Sequence, residues 1–455
     1  MQKLTKKYGL FTAIAMVVGI VIGSGVFYKA QDILKKTGGD LTASILAWIF
    51  GGLIMVICAT TFAVMATKYE KVSGIVDYAE ATVGSYYAYL LGWFTSTVYL
   101  PAMTGVLAWV SARFTVVFLN SVIPEFNADP IGGPECMVIT LVYLVGSYVL
   151  NTLAPKLAGK YQVATTIIKL IPLVLMGVVG TVIGLKTGTL ASNFASPSTV
   201  EASRMTLFYT ALVSTAFAYE GWIIATSINA EIKNAKRNLP LALTIGTLIV
   251  MAICVLYNLG VAGGTTMGEL VSGGGASTAF VHIFGGGIGA VLNLFVAISC
   301  LGTLNGLMLA VTRSTYALAI RGRGMKPQFF NGLDEHSNMP ANSSVIGLLF
   351  AMFWFLYFYA GNLAGWCGAY GFDSSELPII TIYAFYLPIY VAFMIKGRGE
   401  NAFKRFVLPI LAIVGSLFTI FAAIVSHKMG VVYYLIVFAA FMLAGVLVDL
   451  RNKKK

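Results

Sequence analysis

The chain has 455 residues, of which 58% are hydrophobic and only 11% charged, with a mean hydropathy of +0.84. A soluble domain carries roughly 25% charged residues to hydrate its surface, so water is not the solvent for most of this chain and a soluble globule is excluded. The formal net charge of +12 does not point to nucleic acid, because the basic residues form short clusters between apolar runs and not one patch.

Apolar runs of the ~20 residues that cross a hydrocarbon core as helix recur from end to end. They place twelve spans at 9–35, 42–67, 84–119, 134–153, 159–184, 204–231, 240–264, 285–320, 342–360, 376–395, 405–426 and 431–450. The runs are long and continuous, not ten-residue alternations, which favours helices over a barrel. Lys3 to Ile22 imitates a secretory signal but lacks a small-x-small cleavage site, so it reads as a retained first helix. The expected fold class is an all-α membrane protein, one polytopic domain over 1–455 with the lipid bilayer as solvent. With the N-terminus inside, Lys and Arg divide 21 to the cytoplasmic side and 7 to the other, with Lys169 and Arg313 inside spans. That bias predicts both termini in the cytoplasm of a cell (inner) membrane protein.

The first span carries Gly19-Ile20-Val21-Ile22-Gly23-Ser24-Gly25-Val26-Phe27. Each Gly weakens a helix by roughly 1 kcal/mol relative to Ala, and two readings stand: close packing of small residues, or a broken helix lining a site. The sixth carries Ser214-Thr215-Ala216-Phe217-Ala218-Tyr219-Glu220-Gly221-Trp222. Interrupted helices at matching positions of two halves point to a transporter's binding site. The halves would be 9–184 and 204–395, with 405–450 appended. Amides of an unwound Gly23-Ser24-Gly25, with the Ser24 hydroxyl, suit a carboxylate. Carbonyls freed between Phe217 and Gly221 suit an ammonium group. Together they fit an α-amino acid whatever its side chain.

Other polar residues inside spans have two readings each. Lys169, near the middle of the fifth span, costs at least ~2.5–3.5 kcal/mol at that depth. It is either a structural ammonium on helix carbonyls or a switch standing where a coupling cation would bind, touching spans one and eight. Glu220 contacts a cationic ligand or carries a proton, or else it bonds backbone freed by the break. Phe217 is a gate or ordinary packing. On span three, Tyr99, Pro101, Met103 and Thr104 are wall candidates or core. On span eight, Ser299 and Thr303 commonly satisfy their own helix, and only Asn305 is unusual. Asp32 and Arg313, nearer helix ends, read as interfacial.

The three histidines are scattered and the five cysteines contain no CxxC. Free packed thiols are therefore expected, with no metal cluster and no cofactor. No nucleotide loop or Ser-His-Asp set suggests an enzyme. A receptor that binds an amino acid without moving it is disfavoured by the lack of a soluble signalling domain.

These residues resemble the amino acid–polyamine–organocation family and its L-amino-acid-transporter branch. The resemblance rests on Gly19 to Phe27, Phe217 to Trp222, Glu231 to Pro240, Thr166 to Pro172 and Gly302 to Gly306, in family order. It implies a leucine-transporter-like five-plus-five inverted repeat with broken helices one and six and two extra C-terminal helices. It also implies carboxylate binding at the amides of Ser24 and Gly25, with Gly23 in the break. Ammonium would bind the carbonyls of Val21, Phe217 and Glu220, beside Ala218. Phe217 would be the gate, and Lys169 would replace a sodium ion near Gly19 and Ser299. The implied activity is sodium-independent exchange or facilitated diffusion of small neutral L-amino acids such as serine, alanine and threonine, by alternating access. The alternative is proton-coupled import, or carriage of cationic amino acids or polyamines, using Glu220. Some relatives pair with a single-span glycoprotein chain, but no cysteine stands convincingly at the linkage position, so no obligatory protein partner is expected. Three positions depart from the family pattern: the loop Lys71 to Tyr78 lacks its Pro and paired glycines, Ala235 stands where Pro is common, and Glu220 replaces Asp or a smaller residue.

Overall fold

The computed structural model describes residues 9–69, 74–123, 125–225, 232–272 and 275–453. Ten of its helices are long and apolar enough to cross a membrane. Leu10–Val21 and Ser24–Lys36 add an eleventh span if taken as one, bent by 45° at the break. These helices fall within a few residues of the expected spans, with one larger difference. The eighth helix runs Gly275–Ala319 and is bent at Gly285 (φ 80°, ψ 165°). Two helices meet at that kink, so the expected start at 285 falls where the second begins, and the difference is the shorter helix ahead of it. The sixth expected span appears as Arg204–Ala218 and Trp222–Ala225, and its remainder, 226–231, lies outside the described residues. So do Lys71, Val72 and Ser73 of the departing loop, whose Gly74 to Tyr78 are described.

The helix Leu408–His427 wears large apolar side chains outside and small residues inside, the reverse of a soluble protein. On Leu408–His427 the exposed stripe is Val414, Leu417, Phe421 and Ile424, whereas Ala412, Ser416, Thr419 and Ala423 are buried. A lipid solvent explains that inversion, since it gives no hydrophobic gain for burying Leu and leaves close backbone packing to hold helices together. The five cysteines form no disulfide among the described residues.

The chain divides into two compact units. The first comprises Met1–Tyr78, Ile167–Val296 and Tyr383–Ser426, and the second Ala79–Thr166, Ala297–Ile382 and His427–Lys455. In the first, glycines on the fifth span face glycines on Ala235–Gly264. A Cβ on Gly180 would stand 2.4 Å from the Gly260 carbonyl oxygen, and one on Gly184 would stand 2.4 Å from the Gly263 Cα. Only glycine permits backbones this close. Asp40 caps Leu41–Lys68 by accepting from the Ala43 amide at 2.8 Å. A buried aromatic group of Phe62, Trp222, Tyr386 and Tyr390 fills the unit further along.

In the second unit, Pro101 has no N–H to return to Thr97, and the helix widens over Thr95–Tyr99. The freed Thr97 carbonyl accepts from the Trp354 indole at 2.9 Å. Tyr89 and Trp93 donate to the carbonyls of Gly445 and Phe441 on the last helix at 2.7 and 2.8 Å. Asn305 donates to the Ala158 carbonyl and to Gln162 Oε1, and its own oxygen accepts from Asn151 at 2.9 Å.

Candidate functional site

The first helix stops at Val21 because Ile22 and Gly23 leave helical geometry, Gly23 in extended backbone (φ −137°, ψ −154°). A new helix starts at Ser24 without any side-chain cap. Its first-turn amides have no intrahelical acceptor and point with the positive end of the helix dipole towards the break. Ser24 is fully buried, and its hydroxyl makes no hydrogen bond. An orphan hydroxyl at an uncapped helix start, in an apolar setting, is an unspent donor.

The second break is shorter. Arg204–Ala218 ends where Tyr219 leaves the helix, and Gly221 takes φ +106°, which other residues rarely adopt. The Tyr219 hydroxyl donates to the Trp48 carbonyl at 2.7 Å and fixes the turn. The Glu220 amide reaches the Phe217 carbonyl only at 3.5 Å, and the Tyr219 amide is turned towards the Phe217 and Thr215 carbonyls. Glu220 itself is half-buried.

These two interruptions meet. A Cβ on Gly25 would lie 2.6 Å from the Ala218 Cα and 3.1 Å from the Phe217 carbonyl oxygen, and one on Gly221 would lie 3.3 Å from the Ile20 carbonyl oxygen. Gly19, Val21, Gly23, Ser24, Gly25, Phe217, Ala218 and Glu220 therefore gather at one place in the first unit, with opposite backbone polarities side by side. Phe217 is buried and packs edge-on against Tyr28 with centroids 5.8 Å apart.

Lys169 belongs to the same unit and is 2% exposed. Its ammonium donates to the Gly19 carbonyl, in the last turn before the first break. Pro172 helps place it, because a missing N–H three residues on loosens the helix at Lys169. The remaining candidates lie in the second unit. Met103 is buried there, and the buried Thr104 hydroxyl is spent on the Leu100 carbonyl at 2.8 Å. Ser299 is buried with an unpartnered hydroxyl. Thr303 bonds its own helix at the Ser299 carbonyl, 3.1 Å, and Asn305 is taken up by the clamp on Asn151 and Gln162.

Sequence reasoning missed Lys29, which the charge count placed among loop cations. Its side chain is 1% exposed and bound to Asp32 at 3.1 Å. Its ammonium lies 5.2 Å from the centre of the Phe217 ring. Asp32 also takes Lys36 at 3.2 Å, and Lys36 donates to Ser214 at 2.9 Å. The Asp32 reading as a merely interfacial residue is thus too weak, because it ties the helix after one break to the helix before the other. The available signal was the Lys-x-x-Asp-x-x-x-Lys spacing, which stacks the three on one helix face.

A family model described as amino acid permease matches residues 8–447. The chain is similar to the serine/threonine exchanger SteT of Bacillus subtilis (strain 168), 29% identical over 436 residues, covering 94% of this chain and 93% of that protein. It is also similar to the human b(0,+)-type amino acid transporter 1, 24% identical over 457 residues, covering 98% and 87%. A third similar protein is the human cystine/glutamate transporter, 25% identical over 341 residues, covering 74% and 66%.

Proposed function

The chain belongs to the amino acid permease family, the amino acid–polyamine–organocation group, and from that premise we propose that it carries small neutral L-amino acids such as serine, alanine and threonine by sodium-independent exchange or facilitated diffusion. The observation that carries this reading is the meeting of two helix breaks in one unit, Gly25 against Ala218, beside the orphan hydroxyl of Ser24. A zwitterion presents a carboxylate and an ammonium about one carbon apart. The amides of Ser24 and Gly25 take the first, and the carbonyls of Val21, Phe217 and Glu220 take the second. Neither set reads the side chain, so selection among amino acids falls to the walls, with Met103 and Thr104 as candidates.

Sodium independence follows from Lys169. Its ammonium occupies a carbonyl of the broken first span, where a coupling cation would otherwise supply the charge. In this reading Lys169 is the switch, with Ser299 as the span-eight candidate, while Thr303 and Asn305 spend their hydrogen bonds on holding helices. Phe217, braced by Tyr28 and Lys29, closes over the ligand during alternating access. The architecture that goes with it is twelve spans in a five-plus-five inverted repeat, 9–184 and 204–395, with 405–450 appended, both termini in the cytoplasm and the chain working alone.

Counterflow of labelled serine in proteoliposomes tests it. Uptake that needs internal amino acid, and persists without sodium and without a pH gradient, supports exchange. Uptake that follows an imposed proton gradient, or a preference for lysine or putrescine over serine, replaces this assignment with the alternative that uses the half-buried Glu220.

A further inference from the structure

The histidines are scattered in sequence, yet the fold of the second unit brings His427 to two carboxylates. His427 Nε2 lies 3.0 Å from Glu376 Oε2, and the Glu376 side chain is 0% exposed. One ligand atom each from Asp373, Glu376 and His427 falls within 4.8 Å of the others. Asp373 is held in place by its own turn: one of its oxygens accepts from the Ser375 amide at 2.7 Å and the Glu376 amide at 3.0 Å, while a carboxylate has room for about four acceptances in all. Asp373 and His427 also line an open cavity of about 430 Å³ bordered by Asn362, Gly371 and Gly430.

We propose that Asp373, Glu376 and His427 form a divalent metal site selective for zinc, separate from the amino acid site. A carboxylate removed from water is stabilised by positive charge close by, and a dication shared by three ligands supplies it. One nitrogen and two oxygens suit Zn²⁺, whose ligands sit at about 2.0–2.2 Å. Asp373 keeps its turn through one oxygen and has the other left for an ion, so bringing the group together asks for side-chain rotation of the partly exposed His427. Calcium asks for six to eight oxygens, more than this set offers. Three protein ligands leave the fourth position of a tetrahedral ion open, and the cavity that Asp373 and His427 line would supply a ligand for it. Asp373 and Glu376 precede Leu377–Lys396, and His427 ends Leu408–His427, so the ion would clasp the turn leading into one helix to the end of another.

The test is titration of purified full-length protein, stripped with chelator and carrying no histidine tag, with Zn²⁺ by calorimetry and with Co²⁺ by visible absorption. One Zn²⁺ per chain, undisturbed by millimolar Ca²⁺, with tetrahedral Co²⁺ bands, is the expected result. His427→Gln retains a donor towards Glu376 and so preserves the packing, and Glu376→Gln is its counterpart. Each is expected to weaken Zn²⁺ binding by at least about tenfold, with gel filtration unchanged. Lack of Zn²⁺ binding by the wild type, binding that both variants retain, or displacement by Ca²⁺ overturns the proposal. None of these results bears on serine counterflow, so the two proposals fail independently.

Discussion

Polar groups inside the spans come in two kinds, and the contrast between the paired breaks and the Asn305 clamp separates them. At the breaks, the Ser24 hydroxyl is buried without a partner, at the start of a helix that no side chain caps. At the clamp, Asn305 gives both amide hydrogens to Ala158 and Gln162 and accepts from Asn151. An unspent donor in an apolar setting is a standing cost of about 1–3 kcal/mol, which a ligand can relieve. A spent one has been used to hold helices. Being a hydroxyl does not decide the kind, since the Ser24 hydroxyl is orphaned and the Thr104 hydroxyl is spent on the Leu100 carbonyl.

Mutation can break that contrast. The largest expected effect is Gly25→Val: its Cβ would stand 2.6 Å from the Ala218 backbone, so the breaks must part and counterflow falls to background, while protein still reaches the membrane. Next is Lys169→Ala, which removes the donor from the Gly19 carbonyl. Exchange is expected to drop at least about tenfold in folded protein, and unchanged uptake would reduce Lys169 to a spectator. Ser24→Ala deletes a hydroxyl that has no bond to lose within the chain. KM for serine should rise about fivefold, equivalent to ~1 kcal/mol, with no fall in melting temperature.

Asn305→Ala sharpens the comparison from the other side. It removes one acceptor from Asn151 and the donor to Ala158 and Gln162, and the expected loss is about 1 kcal/mol of stability with exchange per folded molecule preserved. Normal stability with collapsed exchange would instead make Asn305 part of the switch. Thr303→Val is the smallest, within about 0.5 kcal/mol and without effect on exchange, because that hydroxyl only bonds its own helix at Ser299. A transport defect there would overturn the division itself.

Much of this was legible in the sequence. Apolar length located the spans, and glycine density located both breaks, because each signal is local: one residue's propensity or one helix's hydropathy. Lys169 announced itself by being a charge in the middle of an apolar run. The Asn305 partners were not legible, since Asn151 lies 154 positions away and nothing local records the pairing. Lys29 was misassigned for a related reason: hydropathy treats every lysine near a helix end as solvated, whereas its neighbours Asp32 and Lys36 and the Phe217 ring enclose it. His427 and Glu376 became neighbours only through tertiary folding.

The glycine seam between the fifth span and Ala235–Gly264 has a mechanical meaning. Where two main chains touch with no side chains between them, there is no cushion to be squeezed and no rotamer to flip, so those two rods can neither slide nor roll without collision. Any displacement that Lys169 transmits from the first span must then drag both rods together. The compliance has to come from the softened turn beside Pro172, which makes that proline the place to look for a hinge.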